Sequence, residues 1–385
     1  MLSTEPSIPD TPGKPIEMAN KETETDKVAQ GYIDKIKAKC ARIKPLVAIN
    51  CLTYNHEKFL RETLEGFMIQ KTDFPFVAIV HEDASTDGTA AILREYADKY
   101  PDIILPIFEV ENQFNKTLGR VMRKARNATG AKYIAMCEGD DYWTDPLKLQ
   151  KQVDFLESHP EYSMCHTGFE IVDEYSNKLT LDYLDEKIAS AERAGNVGDY
   201  LMTYYKKSKE RLPKYQHFMV ESCSGERFWY LLAKHNYIIT ATCVIRKDVS
   251  DQSRIGYYDY GLFLTAARLG KIGYINDITA SYRFQPNSAM TNPDLFKKTV
   301  LSRGAYNTWG ELKRVFDNIT CDEIMSRPCA KKMLVRKIFG LWFNAPEYRK
   351  EYLTFILKHP SLWYDMTRYC VNRQPKIEEI FDMTK

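Results

Sequence analysis

Three carboxylates fall within four residues at Glu138-Gly139-Asp140-Asp141, directly after the apolar run Tyr133-Ile134-Ala135-Met136-Cys137. The run reads as a buried strand, which puts the carboxylates at its C-terminal end, where open α/β sheets bind ligands. Like charges on one short turn repel each other, and a divalent cation relieves the repulsion. An all-oxygen donor set suits Mg²⁺ or Mn²⁺, and a cation so held typically carries a diphosphate. The simpler alternative is a solvated acidic turn that caps the next helix.

Two further strand ends carry polar clusters. Phe76-Val77-Ala78-Ile79-Val80-His81 is a short run rich in β-branched residues and reads as a strand. It ends in Glu82-Asp83-Ala84-Ser85-Thr86-Asp87-Gly88-Thr89, a turn and helix start with Ser85 and Thr86 as capping residues. Asp83 precedes the cap, where a carboxylate can accept from a base N–H or a ribose hydroxyl. Upstream, Leu46 to Leu52 is a third strand running into Thr53-Tyr54-Asn55-His56-Glu57. Helices are expected over Lys58–Gln70 and Ala90–Lys99, a strand over Ile103–Phe108, and a basic helix from about Thr117 to Ala128. Strands alternating with helices argue for right-handed βαβ units and a mainly parallel sheet.

These motifs, in this order, resemble a family 2 glycosyltransferase of the GT-A fold. The resemblance runs from about Pro45 to Gly168, includes Asp145-Pro146 opening a helix, and resumes from Tyr237 to Ser288. It implies an inverting enzyme that moves a sugar from a nucleotide-sugar, most often a UDP-sugar, to a hydroxyl of a saccharide or lipid-linked saccharide. It also implies roles for residues. Thr53, Tyr54, Asn55, Glu57 and Asp83 fall on the donor-binding stretches, with Tyr54, Glu57 and Asp83 on the base and ribose. Glu138-Gly139-Asp140-Asp141 matches the DxD stretch, with Glu where the first Asp is usual. Glu138 and Asp140 then contact the donor, and Asp140 and Asp141 are the metal candidates. Arg120 lies on the segment from which a basic side chain reaches the diphosphate, and Arg283 and Gln285 lie on a loop that closes over it. The family often has His where Gln285 stands. Asp259 matches the general base that takes the acceptor's proton. Its other reading is an N-cap for a helix over Tyr260–Leu269, and Asp251 is the second candidate for the base.

Composition agrees with an enzyme that handles small charged ligands. The formal net charge is +2, from 54 basic and 52 acidic residues, so no strong field favours nucleic acid. The nine cysteines contain no CxxC pair, which points to a reducing compartment and away from zinc. With no apolar leader and no run of about 18 apolar residues, a cytoplasmic protein is expected, peripheral at the inner face of the membrane at most.

Residues 1–44 read as a disordered tail followed by a helix over Asp26–Ile43. Residues 45–290 read as the catalytic unit, with 175–235 an acceptor-side insertion bearing helices near Gly198–Tyr205 and Glu226–His235. Residues 291–385 read as helical, over Pro293–Phe316, Cys329–Phe343, Pro346–Lys358 and Ser361–Cys370. Lys331, Lys332, Arg336 and Lys337 interleave with Ile338, Leu341 and Trp342, a pattern for an anionic membrane surface or for packing on the catalytic unit. Two other functions compete. A sugar nucleotidyltransferase or a dehydrogenase would need a Gly-rich loop after the first strand, and Thr53 to Glu57 has no Gly. A non-catalytic nucleotide-sugar-binding or scaffold protein would not need the full acidic set.

Overall fold

The computed structural model describes residues 24–113, 120–195, 205–206, 209, 238–252, 259–285 and 349–358. The expected helices near Gly198 and Glu226, and those of the C-terminal region other than the one ending at Lys358, lie outside these residues or nearly so.

The first half is a set of βα units. α1 (Glu24–Ile43) leads into β1 (Val47–Thr53), α2 (Leu60–Met68), β2 (Phe76–Glu82), α3 (Thr89–Lys99), β3 (Ile104–Phe108), α4 (Arg120–Thr129) and β4 (Tyr133–Met136). The second half adds β5 (Tyr142–Trp143), α5 (Lys148–Ser158), β6 (Tyr162–Val172), α6 (Leu181–Arg193), a short 3₁₀ turn at Thr240–Thr242 and β7 (Val244–Arg246). It continues with α7 (Lys247–Gln252), α8 (Asp259–Leu269) and β8 (Lys271–Arg283), and α9 (Arg349–Lys358) follows later in the chain.

All eight strands form one sheet in the order β3-β2-β1-β4-β7-β6-β8-β5. The expected parallel arrangement holds from β3 to β4. Beyond β4 the sheet is mixed. β7 runs antiparallel to both its neighbours, β6 and β8 are parallel, and β5 pairs antiparallel with β8. This is the expected α/β fold, with helices on both faces of the sheet.

Alternation along the strands builds two cores. Val47, Ile49 and Cys51 of β1 face Leu60, Leu64, Phe67, Leu93 and Leu149, whereas Ala48 faces the opposite side. There α1 supplies Ala29, Ile33, Ile36 and Cys40 at helical spacing and α4 supplies Val121, Met122 and Ala125. Strands buried on both faces read as continuous apolar runs, which is why these were visible in the sequence. A third, smaller cluster of Phe169, Ile171, Leu179, Leu184 and Phe284 lies under α6.

Close packing fixes β5, directly after the acidic turn, against α2. A Cβ at Gly66 of α2 would sit 2.8 Å from the Trp143 amide nitrogen, so only Gly lets α2 approach β5. Phe67 meets the Trp143 ring edge-on at 4.9 Å between centroids, and Trp143 Nε1 donates to the Ala241 carbonyl at 2.8 Å. Among the described residues five cysteines (Cys40, Cys51, Cys137, Cys165 and Cys243) are free and buried. No helix among the described residues is long and apolar enough to cross a membrane.

Candidate active site

The loops after β1, β2 and β4 meet at the C-terminal edge of the parallel strands. The acidic turn continues the pairing with β1 past the end of β4: Cys137 N donates to Asn50 O at 3.1 Å and Gly139 N to Leu52 O at 2.8 Å. A Cβ on Gly139 would lie 2.6 Å from Thr53 Oγ1 and 2.9 Å from His56 Nδ1, so the middle of the turn has room for Gly alone.

The turn's carboxylates have different surroundings. Glu138 is half-buried, accepts from the Thr240 hydroxyl, and has its carboxyl pushed up to about 7. Burial is the main cause, the Thr240 hydrogen bond opposes it, and the negative charges of Asp140 and Asp259 add to it. Asp141 is 2% exposed, accepts from the Arg283 amide at 2.8 Å, and is held well above the ordinary carboxylate range by burial and then by Asp140 and Glu138. Asp140 is the more open, with a side chain 22% exposed. Gln285 Nε2 donates to its Oδ2 at 2.7 Å, and His56 Nε2 lies 3.9 Å from the same oxygen.

Asp259 opens α8 and is half-buried. After burial, its negative charge is among the causes that raise both Glu138 and Cys243. Asp251, the other candidate base, is paired with Lys247 at 2.5 Å and lies 3.7 Å from Arg126.

The residues of the loops after β1 and β2 are braced against one another. Asn55, at φ 54°, receives Thr86 N on its Oδ1 at 2.8 Å, while its own amide donates to Ser85 Oγ at 3.0 Å. Glu57 Oε2 accepts from Gly88 N at 3.0 Å, and the Glu57 amide donates to Asp87 Oδ2 at 3.1 Å. Asp87, rather than the expected Ser85 or Thr86, receives the Thr89 amide, at 3.0 Å. Asp83 is 8% exposed and accepts from Gln113 N at 2.6 Å. Tyr54 is 43% exposed at the end of β1, and Thr53 is buried with its hydroxyl oxygen unpartnered. Arg120 is the first residue of α4.

Arg283 stands differently from the diphosphate contact that the resemblance implies. Its side chain is 1% exposed and turned under the acidic turn. Nε donates to Asp140 O at 2.9 Å, one terminal nitrogen to Asp173 O at 3.0 Å and Ser176 Oγ at 3.1 Å, and the other to Glu62. Burial and these partners make it a support of the turn. Three residues that take part here carry no strong sequence signal. His56 has a buried, unpartnered Nδ1 beside Gly139, Glu62 anchors Arg283, and Thr240 holds Glu138. His56 alone lies inside a stretch that the sequence singles out.

The described residues hold no group of three or more His, Cys, Asp or Glu side chains able to cage a metal by themselves. The acidic turn nevertheless fits a hard cation shared with a ligand. Asp140 is partly open, and the carboxyls of Glu138 and Asp141 beside it are raised by desolvation and mutual repulsion, which a divalent charge would offset.

A sequence profile of glycosyl transferase family 2 matches residues 51–231, and this segment is a glycosyl transferase family 2 domain. Rv1520 of Mycobacterium tuberculosis strain H37Rv, an uncharacterized protein, is 43% identical over 128 residues, 33% of this chain and 36% of its own. EpsE of Bacillus subtilis strain 168, named as a putative glycosyltransferase, is 37% identical over 131 residues, 34% of this chain and 45% of its own. The chain thus spans about a third to a half of the length of these relatives. Staphylococcus aureus TarS 1-349, solved in complex with UDP-GlcNAc, is 14% identical with a TM-score of 0.45, over 78% of this chain and 82% of that one. The family assignment does not rest on it.

Proposed function

We propose that the chain is an inverting glycosyltransferase. It moves a sugar from a nucleotide-sugar, a UDP-sugar by resemblance, to a hydroxyl of a saccharide or lipid-linked saccharide, with Mn²⁺ or Mg²⁺ as cofactor. The observation that carries the reading is the carboxylate turn Glu138–Asp141 at the C-terminal edge of the parallel strands, met there by Thr240 and Gln285 from the far half of the sheet. Residues 45–290 form the catalytic unit in this reading, residues 175–235 shape the acceptor side, and the helices of 291–385 make any peripheral membrane contact.

Asp140 is the open carboxylate and the best metal ligand of the turn, with Asp141 kept for structure by its burial. Bound there, the cation would offset the charge of the leaving diphosphate. Tyr54 and Asp83 flank the nucleotide, and Gln285 reaches the same end as Asp140. Asp259 takes the proton of the acceptor hydroxyl as its oxygen bonds to the anomeric carbon. The bond from that carbon to the phosphate oxygen breaks, the nucleoside diphosphate leaves with the electron pair, and in-line attack inverts the centre.

A thermal-shift screen of nucleotide-sugars with and without Mn²⁺ identifies the donor, since native-state ligands raise apparent stability. With that donor, Asp259→Asn is expected to lower kcat by about 10²–10⁴-fold while donor affinity stays unchanged. Near-full turnover, or a product that keeps the donor's anomeric configuration, would remove Asp259 from the role. Tight donor binding with no turnover across acceptors would favour a binding protein.

A further inference from the structure

We propose that Arg283 is a positioning residue that locks the acidic turn to the turn after β6, so that the donor and acceptor sides of the site move as one piece. For its effect on donor binding the proposal rests on the glycosyltransferase reading.

The geometry is a closed set of contacts around one buried guanidinium. On the donor side, the Arg283 amide holds Asp141 Oδ1 and Nε holds the Asp140 carbonyl. On the other side, a terminal nitrogen holds the Asp173 carbonyl and the Ser176 hydroxyl. Glu62 of α2 closes the set, accepting from Arg283 and from Ser176 Oγ at 2.9 Å. The planar cation packs on Phe59 at 4.7 Å and Tyr142 at 5.3 Å from their ring centres. Only a guanidinium offers donors in a fixed fork to all of these acceptors at once.

The turn it grips is built to stay in place. Asp173 Oδ1 accepts from the amides of Tyr175 and Asn177 at 2.8 and 2.9 Å, and its Oδ2 from the Tyr183 hydroxyl at 2.6 Å. Ser176 sits at φ 64°, a conformation unfavourable for a non-glycine residue, so the contacts around it hold it there. A turn held this firmly gives the acceptor side a fixed distance to Asp140. Two residues past Arg283, Gln285 reaches Asp140, so the clamp also sets where that contact falls.

The test compares Glu62→Gln and Arg283→Lys with the parent, by hydrogen exchange of the unliganded protein and by Mn²⁺-dependent UDP binding. Glu62→Gln removes the anchoring charge from a side chain 45% exposed, so the fold is kept. Amide exchange is expected to rise in both 138–143 and 173–177 together. UDP binding in Mn²⁺ is expected to weaken roughly three- to tenfold, the loss of one charge-assisted hydrogen bond's advantage, and further in Arg283→Lys. Faster exchange in 173–177 alone, or in neither segment, overturns the clamp. If the parent protein does not bind UDP in Mn²⁺, the glycosyltransferase reading fails, and the exchange result still decides the clamp. If Arg283→Lys loses its fold, the exchange pattern of Glu62→Gln decides between clamp and no clamp.

Discussion

The two halves of the sheet are put together differently. From β3 to β4 the strands are parallel and buried on both faces, and their loops are braced by neighbours about 30 residues apart, as with Asn55 on Thr86, Glu57 on Gly88 and Asp83 on Gln113. From β7 to β5 the strands are mixed, and the ties to the acidic turn are long in sequence. Thr240 to Glu138 spans 102 residues and Arg283 to Glu62 spans 221. The first half of the sheet is thus set by local folding units, whereas the second half is tied to it by a few part-buried polar contacts. Loops that position ligands are placed by the rigid scaffold beneath them, and here the scaffold of one half is largely the other half.

The sharpest way to break that comparison is in the cores. Phe67 is fully buried in the main cluster against Trp143, and Phe67→Ala is expected to cost about 3–5 kcal/mol. Phe169 lies in the small cluster under α6, and Phe169→Ala is expected to cost less, by at least about 1 kcal/mol. Urea unfolding of both variants decides it, and the reverse order would mean that the second half of the sheet is the more tightly built.

A next effect belongs to Lys148 of α5, which is fully buried at the seam between the halves. It donates to Gln152 and has its ammonium 4.6 Å from the Trp143 ring centre. Gln152 in turn donates to Thr242 O at 2.9 Å. Burial lowers the Lys148 pKa from 10.5 to about 8. Between about 8 and 10.5 the unfolded chain therefore binds more proton than the folded one, and this residue's contribution to stability rises with pH across that window. Below the window the buried charge bears its full desolvation penalty. Lys148→Met is expected to remove the rise, so that parent minus variant stability climbs by about 2–3 kcal/mol from about pH 7.5 to about pH 10.5. The same difference at both pH values would place the ammonium in contact with water.

The smallest effect tests whether the donor half meets a nucleotide. Asp83→Ala is expected to weaken UDP binding by about 1–3 kcal/mol by calorimetry. Equal affinity in variant and parent would leave Asp83 with its bond to Gln113 N as its whole role.

That division also explains what is legible in the sequence. β1 to β4 and α1 to α4 can be read within a few residues, because double-sided burial leaves unbroken apolar runs and the helices keep helical spacing. β6 and β8 cannot. Their pairing carries register shifts between Tyr162 and Met164 and around Gly168, and Gly273, Asn276 and Asp277 interrupt the apolar pattern of β8. β5 has two residues and no period at all. α6 is hidden in a charged stretch, although Thr180 capping the Tyr183 amide and the apolar Leu181 and Leu184 mark its start. The acidic turn announces itself through charge density. What Arg283 does in the structure has no such signal, because its partners at Glu62, Asp140, Asp173 and Ser176 come from separate places in the chain.

The leading helix α1 lies outside residues 51–231, yet Ala29, Ile33, Ile36 and Cys40 share with α4 the cover of one face of the parallel strands. An expression fragment trimmed to begin at β1 would uncover the apolar flank of α4 and Leu105 and Ile107 of β3 together. A contiguous apolar surface of that kind drives proteins to associate. Fragments meant for crystallisation or assay should therefore start before Glu24, and insolubility of a shorter piece would reflect its missing cover rather than a faulty domain.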